Sequence, residues 1–203
     1  MKNIFYFILL TILIACSPKN KVTEVKNEDG AVIERFSENV ETGQKEGKSE
    51  TFSNGGLLLE TSSYKNGQLH GERTLYHENG EIQAIEQYEN GAFKGRYQAF
   101  YENKQLELEG KYIDGKMDGA WKRYYDSGEL MEIVNFVANE ENGPFVEYYK
   151  NGQKKTEGSY LNGDNEHGEL LMYTQNGELE KKMNCEKGIC RTSWTKEQNE
   201  KRI

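Results

Sequence analysis

Apolar and glycine positions recur along this chain every 24 residues. Tyr64, Tyr88, Tyr112, Phe136 and Tyr160 mark one slot, and Val40 holds the same register one step earlier. Three residues on sit Gly43, Gly67, Gly91, Gly115, Asn139 and Gly163, and four further on Gly47, Gly71, Gly95, Gly119 and Gly143. One insertion moves the sixth of these to Gly168. A second aromatic slot follows at Phe52, Tyr76, Phe100, Tyr124, Tyr148 and Tyr173. A second turn slot follows that, at Gly56, Gly80, Lys104, Gly128, Gly152 and Gly177. Four landmarks recurring over six units define a repeat, and such a short unit cannot bury an apolar face alone, so neighbours must stack.

Each unit has two turns with strand-length segments between them, such as Glu72 to His77 and Ile82 to Tyr88. Asn66-Gly67, Asn79-Gly80, Asn90-Gly91, Asn151-Gly152, Asn162-Gly163 and Asn176-Gly177 suit type I′ turns, whose two central residues both take positive φ. The expected fold is all-β: an elongated antiparallel meander of 24-residue double-hairpin repeats, about twelve strands extending roughly 55–60 Å. Lys104 and Asn139 stand where glycine is expected, and local distortion is anticipated at both.

A two-residue turn at Asn66-Gly67 places Tyr64 opposite Leu69. The same offset pairs Tyr88 with Phe93 and Tyr112 with Met117. The aromatic ladder therefore reads first as core, with Tyr97, Trp121 and Phe145 sharing one slot of the same stripe. The competing reading is a binding face of Tyr101, Tyr125, Tyr149 and Trp121 that takes an extended peptide or a glycan.

The N-terminus reads as an address. Lys2 gives a positive start, and Ile4 to Ile14 is apolar apart from Thr11, too short to span a bilayer comfortably. Leu13-Ile14-Ala15-Cys16 resembles the bacterial lipobox, in which the cysteine becomes the lipidated first residue of the mature chain. The alternative is an ordinary secretory signal or short anchor with Cys16 incidental. The expected organisation is a lipoprotein signal peptide over 1–15 and lipidated Cys16 with a flexible tether over 16–39. A repeat domain of six units plus a partial seventh covers 40–190, and a charged tail covers 191–203. The expected location is the cell envelope, lipid-anchored to a bacterial membrane at the outer membrane or cell surface.

Composition supports short strands and tight turns: of 203 residues, 13 are Tyr and 21 Gly, against 2 Pro. A net charge of -8 argues against nucleic acid as partner, since phosphate binding needs a basic surface. Cys185 falls 25 residues after Tyr160, in the first aromatic slot of the partial seventh unit, with Lys187-Gly188 as its turn. Cys185 and Cys190 then face each other at a non-hydrogen-bonded cross-strand position, within reach of a disulfide. A redox-active pair and free thiols remain the other readings. No second cysteine or histidine pair completes a zinc set. The three histidines, His70, His77 and His167, fall on repeat positions, none beside a Ser or Cys in a nucleophile motif. No nucleotide or EF-hand loop occurs, and neither an enzyme activity nor a cofactor is expected.

The run from Tyr64-Lys65-Asn66-Gly67 through Gly71 to Tyr76 and Gly80 resembles the MORN-repeat variant family, found in bacterial proteins often labelled YwqK-type antitoxins. The resemblance spans about Val40 to Ile189. It implies an antiparallel β-meander and a protein- or membrane-associating role, and it assigns no functional residues. The expected function is a protein-interaction scaffold in the envelope, with an unknown protein partner and a lipid anchor in the membrane. The alternatives are a glycan- or peptidoglycan-binding module and a toxin-neutralising, immunity-like protein.

Overall fold

The computed structural model describes residues 19–200. Its strands are β1 (Asn20–Lys26), β2 (Val32–Asn39), β3 (Lys45–Phe52), β4 (Leu58–Lys65), β5 (Gln68–Tyr76), β6 (Ile82–Glu89), β7 (Ala92–Phe100) and β8 (Leu106–Ile113). They continue as β9 (Lys116–Met117), β10 (Gly119–Tyr124), β11 (Leu130–Val137), β12 (Glu140–Tyr148), β13 (Lys154–Tyr160), β14 (Gly168–Tyr173), β15 (Leu179–Glu186) and β16 (Ile189–Thr195), before a short helix α1 (Lys196–Glu200). All belong to one antiparallel sheet whose order follows the chain, with the two-residue β9 pairing β8 off the main path. The meander is as expected, but it has sixteen strands where about twelve were anticipated.

The extra strands come from both ends. The tether expected over 16–39 is sheet from Asn20: β1 pairs β2, with Asn20 opposite Asn39, around a turn closed by the Gly30 N–H donating to Asn27. This hairpin escapes a strict 24-residue period because the loop after Asn39 is longer than a two-residue turn. The Asn39 N–H donates to the carbonyl of Gln44, and the longer loop shifts everything before it out of register. At the other end, the expected tail is sheet as far as Thr195, with Lys181 opposite Thr195.

The two turns of a unit differ in kind, which corrects the uniform type I′ expectation. Asn66-Gly67, Asn90-Gly91, Asp114-Gly115, Ala138-Asn139 and Lys187-Gly188 have positive φ at both residues, as type I′ requires. Around Asn79, Asn151 and Asn176 only the glycine does. There the Gly80 N–H donates to His77 and the His77 N–H to Glu81, which makes a three-residue loop with a glycine bulge. Lys104 takes the glycine role at φ 71 and Asn139 at φ 77, and the pairing beyond each turn is undisturbed: Phe100 meets Leu106 and Val137 meets Glu140. The anticipated distortion is absent: the Asn139 amide donates to the Met117 carbonyl of the neighbouring unit, and the Lys104 amide donates to Tyr101 in its own turn, which the Asn103 and Tyr101 side chains tie to the next unit.

Side chains alternate between two faces. On one face each first-slot aromatic lies opposite a positive-φ glycine of the preceding strand, as Tyr64 does Gly47, Tyr88 Gly71 and Tyr112 Gly95. Beside that row runs another, in which Ser49, Ser62, Arg73, Glu86, Tyr97 and Gly110 follow one another strand by strand. Trp121, Val134, Phe145 and Gly158 continue it. The row is polar towards the N-terminus and apolar towards the C-terminus, and Ser49, Glu86, Trp121, Val134 and Phe145 are all buried. Two glycines make its aromatic half possible. A Cβ on Gly110 would lie 2.2 Å from the Trp121 ring, and one on Gly158 would lie 2.9 Å from Phe145.

Gly110→Ala is therefore expected to lose about 1–3 kcal/mol in urea unfolding, because Trp121 must leave its rotamer. A strand glycine with room for a methyl group would instead gain up to ~1 kcal/mol from a stiffer unfolded chain. An unchanged midpoint for Gly110→Ala would contradict this packing.

Candidate functional site

The residues singled out as a binding face divide between two different settings. Trp121 is 3% exposed and sits within a run of rings. Its ring centroid is 5.6 Å from Tyr97, 5.1 Å from Tyr112 and 6.3 Å from Phe136, and its neighbour Tyr112 stacks on Phe93 at 4.7 Å. These spacings are those of packed aromatic pairs. Trp121 thus belongs to the core stripe and not to an open groove.

Tyr101, Tyr125 and Tyr149 lie at the three-residue turns, half-buried, and their hydroxyls are already bonded. Tyr101 donates to the Tyr124 carbonyl, Tyr125 to that of Tyr148 and Tyr149 to that of Tyr173, each at 2.8 Å. His77, in the same slot, bonds the Phe100 carbonyl at 2.8 Å through Nε2. The turn asparagines extend the pattern: Asn79 donates to the Glu102 carbonyl, Asn103 to Asp126 and Asn151 to Gln175. Every one of these bonds runs to the next unit. The face that the competing reading offered to a ligand is, at its hydroxyls, a set of staples between repeats. The recurrence in that slot of a side chain that can hydrogen-bond, Ser53, His77, Tyr101, Tyr125, Tyr149 and Thr174 and never Phe, was the available signal.

The opposite turn edge is stapled in the other direction. The turn amides of Gly67, Gly91, Gly115, Asn139, Gly163 and Gly188 donate back 22 residues, to Lys45, Leu69, Phe93, Met117, Glu141 and Glu166. Neither this second staple nor its direction was visible in the spacing.

Two polar features sit on the core face. Arg73 donates to Glu60 at 2.6 Å and to Glu86 at 3.1 Å, and the Tyr88 hydroxyl donates to Glu86 at 3.0 Å. Hydrogen bonding to Glu60 holds the guanidinium well above its ordinary value, against the effect of burial. Further along, burial and then the carboxylates of Glu141, Glu166, Glu132 and Glu147 push the Tyr160 phenol up to about 12. Tyr173, on the other face, donates to Glu157 at 2.5 Å, and that bond followed by burial raises it to about 12 as well.

Cys185 and Cys190 are opposite each other at the end of the sheet, with Cα atoms 4.0 Å apart and their sulfurs joined. Cys185 lies across from Gly168, where the other units place an aromatic ring, and is 5% exposed. Cys16 lies outside the described residues. Among the described residues no group of three His, Cys, Asp or Glu side chains could hold a metal ion, and no helix is long and apolar enough to cross a membrane.

Two outcomes follow. Tyr125→Phe leaves the half-buried Tyr148 carbonyl without its donor and is expected to cost about 1 kcal/mol in urea unfolding; a variant as stable as the parent would return this hydroxyl to the surface. Tyr160 and Tyr173 keep their protons better folded than unfolded. Their contribution to stability is complete below the ordinary phenol value of 10.0 and is lost as pH rises through about 12. Phenolate absorbance during alkaline titration should show a late component near 12, reduced in Tyr173→Phe; one uniform transition near the ordinary value would contradict the assignment.

Comparison with known proteins agrees with this geometry. The family model described as MORN repeat variant matches residues 69–90, 94–114, 117–138 and 141–162, four consecutive copies. No curated protein matches. Solved structures give only distant likenesses. The chain is 16% identical to one in the crystal structure of a GtfA/B complex bound to UDP and GlcNAc, covering 55% of this chain and 22% of that one at a TM-score of 0.25. A porin-like protein from Bacteroides uniformis is 8% identical over 85% of this chain and 92% of its own, at a TM-score of 0.22. The complex TcdB2-TccC3-Cdc42 contains a chain 14% identical over 84% of this one and 13% of its own, at a TM-score of 0.19. None of these three bears on ligand or partner. With their double turns, stacked units and four consecutive matches, residues 69–162 are MORN repeat variant repeats.

Proposed function

We propose that this chain is a lipid-anchored protein of the bacterial cell envelope whose repeat sheet serves as a protein-interaction scaffold and not as an enzyme. The observation that carries the reading is where the sheet begins. Only Ser17, Pro18 and Lys19 separate Cys16 from β1, so a lipid on Cys16 holds the first strand within about 13 Å of the membrane surface. The scaffold is therefore presented close to the bilayer and not on a long tether. Acyl chains contribute ~0.8 kcal/mol per buried methylene, enough for a lasting anchor when more than one is attached.

The repeat supports the binding half of the reading. A single-layer sheet stacked unit upon unit offers a long surface for its length. The glycan alternative loses its footing, because the Tyr101, Tyr125 and Tyr149 hydroxyls are bonded to the next unit.

Metabolic labelling with an alkyne fatty acid tests the anchor. Wild type should carry label and fractionate with membranes, and Cys16→Ser should lose both. An unlabelled wild type, or label retained by the variant, would remove the lipoprotein reading. In-cell photo-crosslinking from the sheet should then recover a protein partner, and the identity of that partner separates a scaffold from a toxin-neutralising role.

A further inference from the structure

The two ends of the ladder are finished differently from its interior. In each inner unit the carbonyl that follows the two-residue turn accepts the turn amide of the next unit, as Leu69 accepts from Gly91 and Glu166 from Gly188. Cys190 holds that place in the last unit, since it pairs with Cys185 as Leu69 pairs with Tyr64. Among the described residues no turn donates to it. Glu186 and Ile189 form the pair that closes the final turn. By the alternation of an antiparallel ladder, Cys190 and Thr192 then aim their backbone N–H and C=O groups away from β15. Beyond Thr192 a register shift bends the strand, and α1 follows at the far turn edge. The open stretch is Ile189 to Thr192.

On a protein of net charge -8 this edge carries a local excess of positive charge. Around the last turn and the open stretch stand Lys187 and Arg191 against one carboxylate, Glu186, whereas the nearby Lys182 and Lys196 are paired with Glu169 and Glu178. Lys187 and Arg191 are exposed and have no ion pair among the described residues. Together with His167 and Ile189 they line a cavity of about 660 Å³ beside the strand. Ile189 is 67% exposed. Native edge strands are ordinarily covered, shortened, charged, bulged or interrupted by proline; here a bulge beyond Thr192 and the charge of Arg191 limit the edge, and Ile189 to Thr192 is left uncovered.

We propose that the β16 edge is a strand-addition site for an extended, acidic peptide segment of a partner protein, an inference that rests on the interaction-scaffold reading. The partner's backbone completes the ladder at Cys190 and Thr192. Its carboxylates meet Lys187 and Arg191, and an apolar residue at an alternate position meets Ile189. The disulfide holds the hairpin in register beforehand, so little ordering is needed on binding. A second copy of this chain is a poorer occupant. Its free edge, β1, brings Lys26 and the Glu38-paired Lys21 towards the same cations, and its one carboxylate, Glu24, is already bonded to Arg35.

The probes are fluorescent peptides of repeated Thr-Val-Thr-Glu, or Thr-Val-Thr-Lys, which set Val and Glu, or Val and Lys, in turn along one face (the Val/Glu and Val/Lys peptides), titrated into the detergent-solubilised full chain with its disulfide intact. The Val/Glu peptide should bind saturably and weaken with added salt. Binding should fall about tenfold or more in a variant combining Lys187→Glu and Arg191→Glu, whose fold is not at risk. Thr192→Pro removes one outward N–H while sparing the pairing with β15, and should also weaken binding at an unchanged melting temperature. Equal binding by the parent and the charge variant would overturn the proposal, as would equal binding of the Val/Lys peptide or self-association of the chain through this edge. A crosslinked partner mapped to another part of the sheet, with no peptide binding here, would sink this inference and leave the scaffold reading standing.

Discussion

A sheet one layer thick has no second layer to pack against, so each unit depends on its neighbours for closure. Here that dependence is met by hydrogen bonds that leave the unit at both turn edges and run in opposite directions. Turn amides reach back to the unit before, as Gly91 does to Leu69, and turn phenols reach forward to the unit after, as Tyr125 does to Tyr148. A unit is thus clamped from both sides beyond the ladder between its strands. Stability in such an array is nearly a sum of nearest-neighbour terms, which makes the end units the weakest. The last unit replaces the missing neighbour with a covalent link between Cys185 and Cys190. A loop of so few residues gains little from chain entropy, so the bond serves chiefly to hold the final hairpin in register.

The same constraint decides what the side chains can do. With one face curled around its own aromatics, the space for each ring must come from the adjacent strand. Glycine opposite the first slot, and Gly110 and Gly158 in the second row, supply it. Towards the N-terminus the row changes to Ser49, Ser62, Arg73 and Glu86, and hydrogen bonding takes over from stacking. Removing Arg73 would leave the buried Glu86 carboxylate without its cation, a larger loss than the pair itself contributes.

The fold was legible in the sequence because its cause is local. Asn-Gly and its equivalents fix turns at set intervals, and cross-strand partners such as Tyr64 and Leu69 follow from turn length alone. The first hairpin was not legible, since a longer loop after Asn39 breaks the period that revealed the rest. The three-residue turns were misread because Asn79-Gly80 has the same two letters as Asn66-Gly67 but lies in a loop one residue longer. The stapling role of the candidate site was not legible for a related reason. Tyr101, Tyr125 and Tyr149 recur at turn edges, where exposure is the natural expectation, and their acceptors lie 23 or 24 residues away on another unit. Spacing reveals repetition, but not which carbonyl a hydroxyl will find.

Hydrogen bonds between units, not within them, hold the glycine amides of the two-residue turns. Residue-resolved hydrogen exchange measures this directly at amides that an isolated hairpin would leave open to water. The amides of Gly67, Gly91, Gly115 and Gly163 should be protected to the level of the neighbouring strand amides, because each is bonded 22 residues away. Gly43, whose amide is bonded only to Asn39 inside its own loop, should exchange much faster. If all five exchange alike at the rate of open turns, the units are not clamped and the account fails.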